Sequence, residues 1–531
     1  MEVTIDSKYL VFPVNELAKD KTVRFCLEGE EVYSIVLRLD AEDPTFRAYI
    51  DVQRFRGKRL TIAVEPETEL GCAAAERMEL PGLYREPRRP QVHFTTRNGW
   101  INDPNGCICL DGVYHLFYQY NPGGVHWDNL HWGHAVSPDL IHWEEKDVAL
   151  FIGKHGHAFS GSAILDERGA LGLEDGKPRQ LLFYTATTHP FTQRMAVSTD
   201  GFQTIREFRE EPILQHIGGG NRDPKVVWCE EKQGYVMALY LYLNDYALLF
   251  SENLVDWKVF QVVPLEGDAE CPDFFPMAGP DGERKWVLMG ASDRYRIGTF
   301  SGGLFCPEGG TKGLHDGTGC AYAGQTFSHL PEGRTVRICW DRWRTPAERF
   351  CGQMGIPMEL TLKRFGDSLY LAANPVRELQ TLVWKEEVFS REGEATLPGE
   401  IRLEKCPYWI RLSGSMPREA VELTLFGCRL RIDPTANVLE LGTQKTPLTV
   451  AGERLDLQII VDRCSMEVFA DGGLAYLSST ESDACPDDGL PSFRIQSAEN
   501  WAPEALRLSA LKSIWKENNL TQKEREPDDA V

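Results

Sequence analysis

HAVSPDLIHW, at residues 134 to 143, is echoed by MAVSTDGFQT at 195 to 204 and LLFSENLVDW at 248 to 257. The three share one plan: an apolar strand, a serine, an acidic or amide turn, then aromatic or β-branched residues. Ahead of each lies a run rich in aromatic and β-branched side chains, DGVYHLFYQY at 111 to 120, RQLLFYTAT at 179 to 187 and QGYVMALYL at 233 to 241, and a fourth such run, RKWVLMGAS, occupies 284 to 292. Such runs read as strands. All-β units recurring every ~50 to 65 residues fit the blades of a β-propeller. The repeats define four blades and point to a fifth near residues 297 to 375. Because a propeller sets the innermost strand of every blade around one axis, residues far apart in sequence can converge at one end of the channel.

Three acidic motifs fall in different repeats: Asp103 within GWINDPNG (99 to 106), Asp223 within RDP (222 to 224) and Glu270 within ECP (270 to 272). Each has a plain structural reading. DPNG is a strong turn sequence, because proline presets one dihedral and Asn-Gly tolerates positive φ. RDP reads as a surface pair at a strand end, and Glu before Cys-Pro as structural. Taken together, the three read as a catalytic set. Cleaving an acetal between sugars needs one carboxylic acid to protonate the departing oxygen and a carboxylate to attack the anomeric carbon or activate water. Environment divides that labour, since a carboxyl in an apolar setting keeps its proton and one held by donors stays ionised. A third carboxylate can hold the sugar hydroxyls.

The ordered set GWINDPNG, YHLFYQYNP, HWGHAVSPDLIHW, FSGSA, NRDP, ECPDFFP and, at 465 to 473, SMEVFADGG closely resembles glycoside hydrolase family 32, the β-fructofuranosidases that include invertases, inulinases and levanases. The resemblance covers roughly residues 88 to 515. It implies a five-bladed propeller followed by a C-terminal β-sandwich, and a retaining mechanism on fructosides without cofactor or metal. By position, it makes Asp103 the nucleophile, Glu270 the acid/base, and Asp223, with Arg222 beside it, the carboxylate that binds two fructose hydroxyls and stabilises the transition state. Asn102, Gln119, Trp127, Phe159, Ser160 and Trp340 then line the fructose pocket, with Trp343 of the same ICWDRW segment a rival to Trp340.

Composition agrees with a large enzyme. At 531 residues and 42% hydrophobic content, the chain has ample apolar surface for two or three domains. Its net charge of −22 repels phosphate backbones and anionic membranes, which argues against nucleic acid and membrane partners. No stretch approaches the ~20 apolar residues of a membrane helix. The N-terminal MEVTIDSKYLVFPVNELAKDK lacks the basic start and apolar run of a secretory signal, so the expected location is cytoplasmic. Fourteen cysteines, scattered through strand-like segments without a C-x-x-C, read as reduced and mostly buried thiols. Cys271, next to Glu270, reads as a small packing residue that shapes the turn, with contact to the site as the other reading. Eight of the twelve histidines fall between His93 and His157, interleaved with tryptophans and without ligand spacing, a mixture read as suiting sugar rather than metal.

The expected organisation is all-β: an N-terminal β-rich module (1 to 85), the propeller (86 to 375), a linker (376 to 385), a β-sandwich (386 to 515) and a mobile charged tail (516 to 531). Alternating segments such as AVELTLFGCRLRID and LDLQIIVDRCSMEVFA carry the sandwich reading. Within it, DRCSMEVFADGG reads as a packed strand and hairpin turn, with sugar binding the other option. The N-terminal module resembles additions in levanase-like members of the family and implies an exo-acting hydrolase of fructans or fructo-oligosaccharides. Bracing the propeller or mediating homo-oligomer assembly, which the C-terminal β-module could also do, is its plain role. A fructosyltransferase using the same covalent intermediate, and a non-catalytic fructan-binding propeller, are the competing functions.

Overall fold

The computed structural model describes residues 1–531 except 173–175, 316–318, 344–348, 391–399, 449–452, 481–491, 499–500 and 516–531, so the charged tail lies outside the described residues. Among the described residues, regular structure is strand apart from four short 3-10 turns. Five antiparallel sheets follow one another along the chain. Their inner strands are Gly99–Leu110, Ala158–Leu165, Arg222–Cys229, Asp273–Ala278 and Ala321–Thr326. The fifth sheet, Ala321–Thr326 to Ser368–Pro375, is the blade that the repeats alone could only locate by its space. A two-residue strand, Phe350–Cys351, returns to pair in parallel with Gly99 and Trp100, tying the last blade to the first.

The sequence repeats are the second and third strands of successive blades. Val113–Asn121, Gln180–Ala186, Gly234–Tyr242 and Arg284–Met289 hold the aromatic runs. At the ends of three third strands the Ser-x-Asp/Asn pattern closes the same turn. Asp139 Oδ1 accepts from the backbone of Ile141 and His142, Asp200 Oδ1 from that of Thr204, and Asn253 Oδ1 from that of Val255 and Asp256. Each turn carries one apolar residue in the left-handed region, Leu140, Phe202 and Leu254, with φ of 66, 63 and 65°. All three side chains are buried, so their packing offsets a backbone cost of order 1–3 kcal/mol. Between the second and third blades, Phe183, Met237 and Leu249 are fully buried, and each such side chain contributes roughly 1.5–3 kcal/mol relative to exposure.

Two six-stranded sheets form the C-terminal sandwich around Ile410, Leu423, Leu457 and Val468. The sandwich begins earlier than expected. The stretch read as a linker is a 3-10 turn, Arg377–Leu382, with Leu379 and Leu382 buried, followed at once by an edge strand, Val383–Ser390, paired with Ala505–Leu511. SMEVFADGG is a packed strand, Met466–Ala470, followed by a turn. Its Glu467 is fully buried and meets His93 Nε2 at 2.9 Å, while Asp462 Oδ2 meets Nδ1 at 2.8 Å, so one imidazole joins the start of the propeller to the sandwich. At the N-terminus, sheets of four and three strands enclose Phe12, Val23, Phe25, Ile35 and Ile50, and Ile152 of the propeller completes that core.

Candidate active site

Four of the five inner strands bring residues to one cluster through an irregularity at the same place, and the turn before the remaining strand completes it. Pairing skips from Ile101–Tyr120 to Pro104–Tyr118, from Phe159–Thr185 to Gly161–Tyr184, from Arg222–Tyr240 to Lys225–Ala238, and from Tyr322–Trp340 to Gln325–Ile338. The residues squeezed out of register are Asn102 with Asp103, Ser160, Asp223 with Pro224, and Ala323 with Gly324. A bulge re-aims a side chain without ending the sheet. DPNG is therefore not the free turn its composition indicates, since Asp103 sits inside the strand Gly99–Leu110. Gly161 has no room for a side chain, because a Cβ there would lie 1.8 Å from Phe183 O. In the fourth blade the irregularity precedes the strand, where Glu270 and Cys271 adopt φ of 59 and 36°, and Asp223 has φ of 64°. Strained backbone at these three residues, in two of the motifs, fits a functional site.

Cys271 marks the centre. Its Sγ lies 3.4 Å from Asp103 Oδ2 and 3.6 Å from Asp223 Oδ2, and its backbone N–H donates to Asp223 Oδ2 at 3.0 Å. The plain reading of this cysteine as a mere turn-shaping residue falls with those contacts. Ser160 Oγ donates to Asp103 Oδ2 at 2.6 Å and Asn102 Nδ2 to Oδ1 at 3.1 Å. Asn102 is itself fixed by Trp100 Nε1 at 2.8 Å. Arg222 Nη2 donates to Glu270 Oε1 at 2.6 Å, its Nε lies 3.7 Å from Asp223 Oδ2, and its guanidinium rests on the Tyr240 ring at 4.6 Å. Tyr322 donates to Glu270 Oε2.

The remaining expected pocket residues group around this set. Gln119 faces the bulge that carries Asp103. Its Nε2 donates to Ala158 O at 2.9 Å, while Oε1 is buried without a partner among the described residues. Trp340 is buried edge-on to Trp100 (5.7 Å) and Tyr322 (6.4 Å), its Nε1 likewise unpartnered. Leaving such groups unmet costs about 1–3 kcal/mol each, which a sugar hydroxyl would relieve. Trp343, the rival, lies in a separate cluster with Phe350 and Cys464. Trp127 is 53% exposed and packs edge-on against Phe159 at 6.1 Å, and Phe191 extends the same wall.

Burial pushes Asp103 above the usual carboxylate range, against the Ser160 and Asn102 donors and with help from the charge of Glu270. Burial, opposed by Arg222 and reinforced by Glu270 and Asp103, pushes Asp223 up to about 7. Burial acts on Glu270 too, but Tyr322 and Arg222 outweigh it and hold that carboxyl below its usual range. The division expected from an apolar acid and a donor-held base thus runs the other way in the chain alone: burial prevails over the donors at Asp103, and the donors prevail over burial at Glu270. The Cys271 thiol is pushed well up by burial and the carboxylates around it, so it stays protonated.

Three histidines of the rich stretch serve packing rather than the site. His115 and His134 stack on each other at 5.2 Å, His131 bonds Tyr33 of the N-terminal module, and burial lowers the first and third to about 4 and about 3. Among the described residues, His93, Asp341 and Glu467 are close enough to hold a metal, but both His93 nitrogens are engaged by carboxylates there.

A sequence model of the glycosyl hydrolases family 32 N-terminal domain matches residues 93–373, more than half of the chain, and the family 32 C-terminal model matches 429–487. The chain belongs to glycoside hydrolase family 32. This family 32 enzyme is 30% identical over 491 residues to a levanase of Bacillus subtilis (strain 168), a match covering 81% of this chain and 72% of the other. It is 32% identical over 368 residues to an extracellular exo-inulinase of Aspergillus awamori, covering 58% and 68%. The crystal structure of exo-inulinase from Aspergillus awamori superposes with a TM-score of 0.71 at 26% identity, over 81% of this chain and 100% of that one. The fructofuranosidase of Schwanniomyces occidentalis complexed with fructose shares the fold, with a TM-score of 0.70 at 22% identity, over 81% and 99%. The chain is a glycoside hydrolase, and the expected propeller followed by a sandwich is its fold.

Several residues of the site escaped the sequence, Trp100, Phe191 and Tyr240 among them, and two bond the acidic residues directly. Tyr322 sits in the uncharged segment CAYAG, whose only signal was its place as the fifth inner strand. Thr185, whose Oγ1 accepts from the Asp223 N–H at 3.0 Å, lay in a run that read as strand core.

Proposed function

We propose that this enzyme releases terminal β-D-fructofuranosyl units from fructosides by a retaining double displacement. The observation that carries the reading is the convergence of Asp103 and Asp223 on one thiol, Cys271 Sγ, at 3.4 and 3.6 Å, with Glu270 adjacent in sequence and paired to Arg222. Three carboxylates from three blades meet where only a polar ligand would need them. Asp103 attacks the anomeric carbon while Glu270 protonates the departing oxygen. Glu270 then takes a proton from water, which displaces Asp103 and regenerates both groups. Asp223, with Arg222 beside it, holds fructose hydroxyls. Asn102 and Ser160 orient the nucleophile, Gln119 and Trp340 offer unpartnered polar atoms to the sugar, and Trp127 and Phe159 present aromatic faces to it.

The test has two parts. Sucrose, inulobiose, kestose, levan and inulin, compared by kcat/KM, rank the leaving groups, and turnover of none of them defeats the reading. Asp103→Asn keeps the shape and removes the nucleophile, so kcat falls by at least about 10⁴-fold without loss of fold. Near wild-type turnover would sink that assignment. A cytoplasmic location belongs to the same proposal. Cys107, Cys109, Cys229, Cys271 and Cys339 are free thiols, which supports a reducing compartment, and cell fractionation decides it. Self-association through the terminal β-modules is tested by light scattering.

A further inference from the structure

The propeller segment from Asn121 to His131, which carries Trp127, is held in large part by residues of the N-terminal module. Glu16 of that module accepts the backbone N–H of Val125 at 3.0 Å and pairs with His126 Nδ1 at 2.8 Å, the two residues immediately before Trp127. Arg38, in turn, donates to Glu16 Oε2 at 3.0 Å and to Glu16 O at 2.9 Å. On the far side of Trp127, the Asn129 amide exchanges two hydrogen bonds of 2.8 Å with the backbone of Val36, as a neighbouring strand would. Tyr33 Oη meets His131 Nε2 at 3.0 Å. The glycines of the loop allow this approach: a Cβ on Gly123 would lie 2.5 Å from Leu37, and one on Gly124 would lie 3.1 Å from Glu16 Oε1.

Glu16 is nearly buried, its side chain 10% exposed. Burial raises its carboxyl, but His126 and the Val125 N–H outweigh that and hold it below its usual range, so the clamp is charged at neutral pH. Trp127, half exposed between the two anchor points, packs on Phe159, and Phe159 precedes Ser160, the donor to Asp103. A contact made by the N-terminal module is thus relayed through one loop to the wall of the fructose pocket.

We propose that Glu16 is a positioning residue for substrate: it fixes the Trp127 loop, and the N-terminal module is thereby part of the substrate site rather than only a brace. The proposal rests on the fructosidase reading. Without Glu16 the loop samples other conformations, the binding-competent fraction falls, and apparent affinity falls with it. The chemistry, set by Asp103 on the inner strand of the same blade and by Asp223 and Glu270 on other blades, is unaffected.

The experiment uses the full chain with Glu16→Ala, Glu16→Gln, Trp127→Ala and the Glu16→Ala/Trp127→Ala pair, assayed on sucrose and kestose. Expected for Glu16→Ala is a KM about 5- to 30-fold higher, the size of one or two lost contacts, with kcat within about two-fold. Glu16→Gln, which can still accept from Val125, recovers most of the loss. In the Trp127→Ala background Glu16→Ala adds little, because coupled residues are not additive. A loss confined to kcat, or one fully additive with Trp127→Ala, overturns the proposal. Iodide quenching of the Trp127 fluorescence, taken as the difference from the Trp127→Ala chain, needs no turnover and is expected to rise in Glu16→Ala. Unchanged quenching overturns the loop claim even if fructosides are cleaved, and raised quenching in a chain that cleaves none would defeat the fructosidase reading alone.

Discussion

Arg222 Nη2 donates to Glu270 Oε1 at 2.6 Å, and Tyr322 donates to the other oxygen of the same carboxylate. Both donors favour the ionised form, yet the acid/base must carry a proton when the leaving group departs. Asp103, which must be ionised to attack, is pushed the opposite way by burial. The active combination, Asp103 ionised and Glu270 protonated, is consequently a minority at neutral pH. The profile of kcat/KM against pH is expected to be a bell centred on the acid side of neutrality, its limbs belonging to the carboxylate cluster as a whole.

Tyr322→Phe tests that account. Removing a donor to the charged form of Glu270 lets its pKa rise, so the limb that Glu270 governs, the acid one where Asp103 is the higher of the pair, moves to higher pH. A limb that stays in place, or moves down, would show that Tyr322 does not hold the Glu270 carboxylate.

Glu270→Ala separates the acid/base from its neighbours. With an activated fructoside whose leaving group needs no proton, azide is expected to restore product formation, since a small anion can take the fructosyl group from Asp103 where no base remains to activate water. The product is then a fructosyl azide, read by mass spectrometry. No azide adduct, together with an unchanged pH profile, would move the acid/base role to another carboxyl.

The second structural charge centre makes a stability prediction. Burial works against the charge of His93, but Asp462 and Glu467 outweigh it and hold the imidazolium up to about 10. A folded pKa above the ordinary 6.5 means that the stabilisation is full below pH 6.5 and is lost as pH rises through about 10. The thermal midpoint should therefore fall across that window. His93→Ala, which leaves two carboxylates buried without their cation, is expected to cost about 3–5 kcal/mol and to flatten the fall. A variant as stable as the parent at pH 7 would contradict the pairing.

Much of this was legible from the sequence, for identifiable reasons. The Ser-x-Asp/Asn turns of three blades recur because the same carbonyl and hydroxyl acceptors close the same backbone path, so HAVSPDLIHW and its echoes gave away the propeller. The fifth blade lacks that turn, and only its space in the chain betrayed it. Asp103, Asp223 and Glu270 stood out because three acidic turn motifs fall in different repeats of an architecture that gathers its repeats around one axis. What the sequence hid was position at the scale of one residue. DPNG looked like a turn because composition cannot tell a bulge inside a strand from a loop, whereas the skipped pairing between Ile101 and Pro104 depends on the partner strand. The histidines misled for a similar reason. Their density pointed to sugar, but His131 and His126 serve contacts with the N-terminal module, which no local pattern encodes.

Retention of configuration is the central claim, and the anomer first released tests it most directly. If Asp103 attacks carbon, its carboxyl and that of Glu270 act at the ~5 to 5.5 Å separation of retaining glycosidases and not at the ~6.5 to 9.5 Å that admits a water between them. Proton NMR of an activated fructoside during the first minute of hydrolysis, before mutarotation, is predicted to show β-fructofuranose as the initial product. Appearance of the α-anomer first would contradict the covalent mechanism and recast Asp103 as a base.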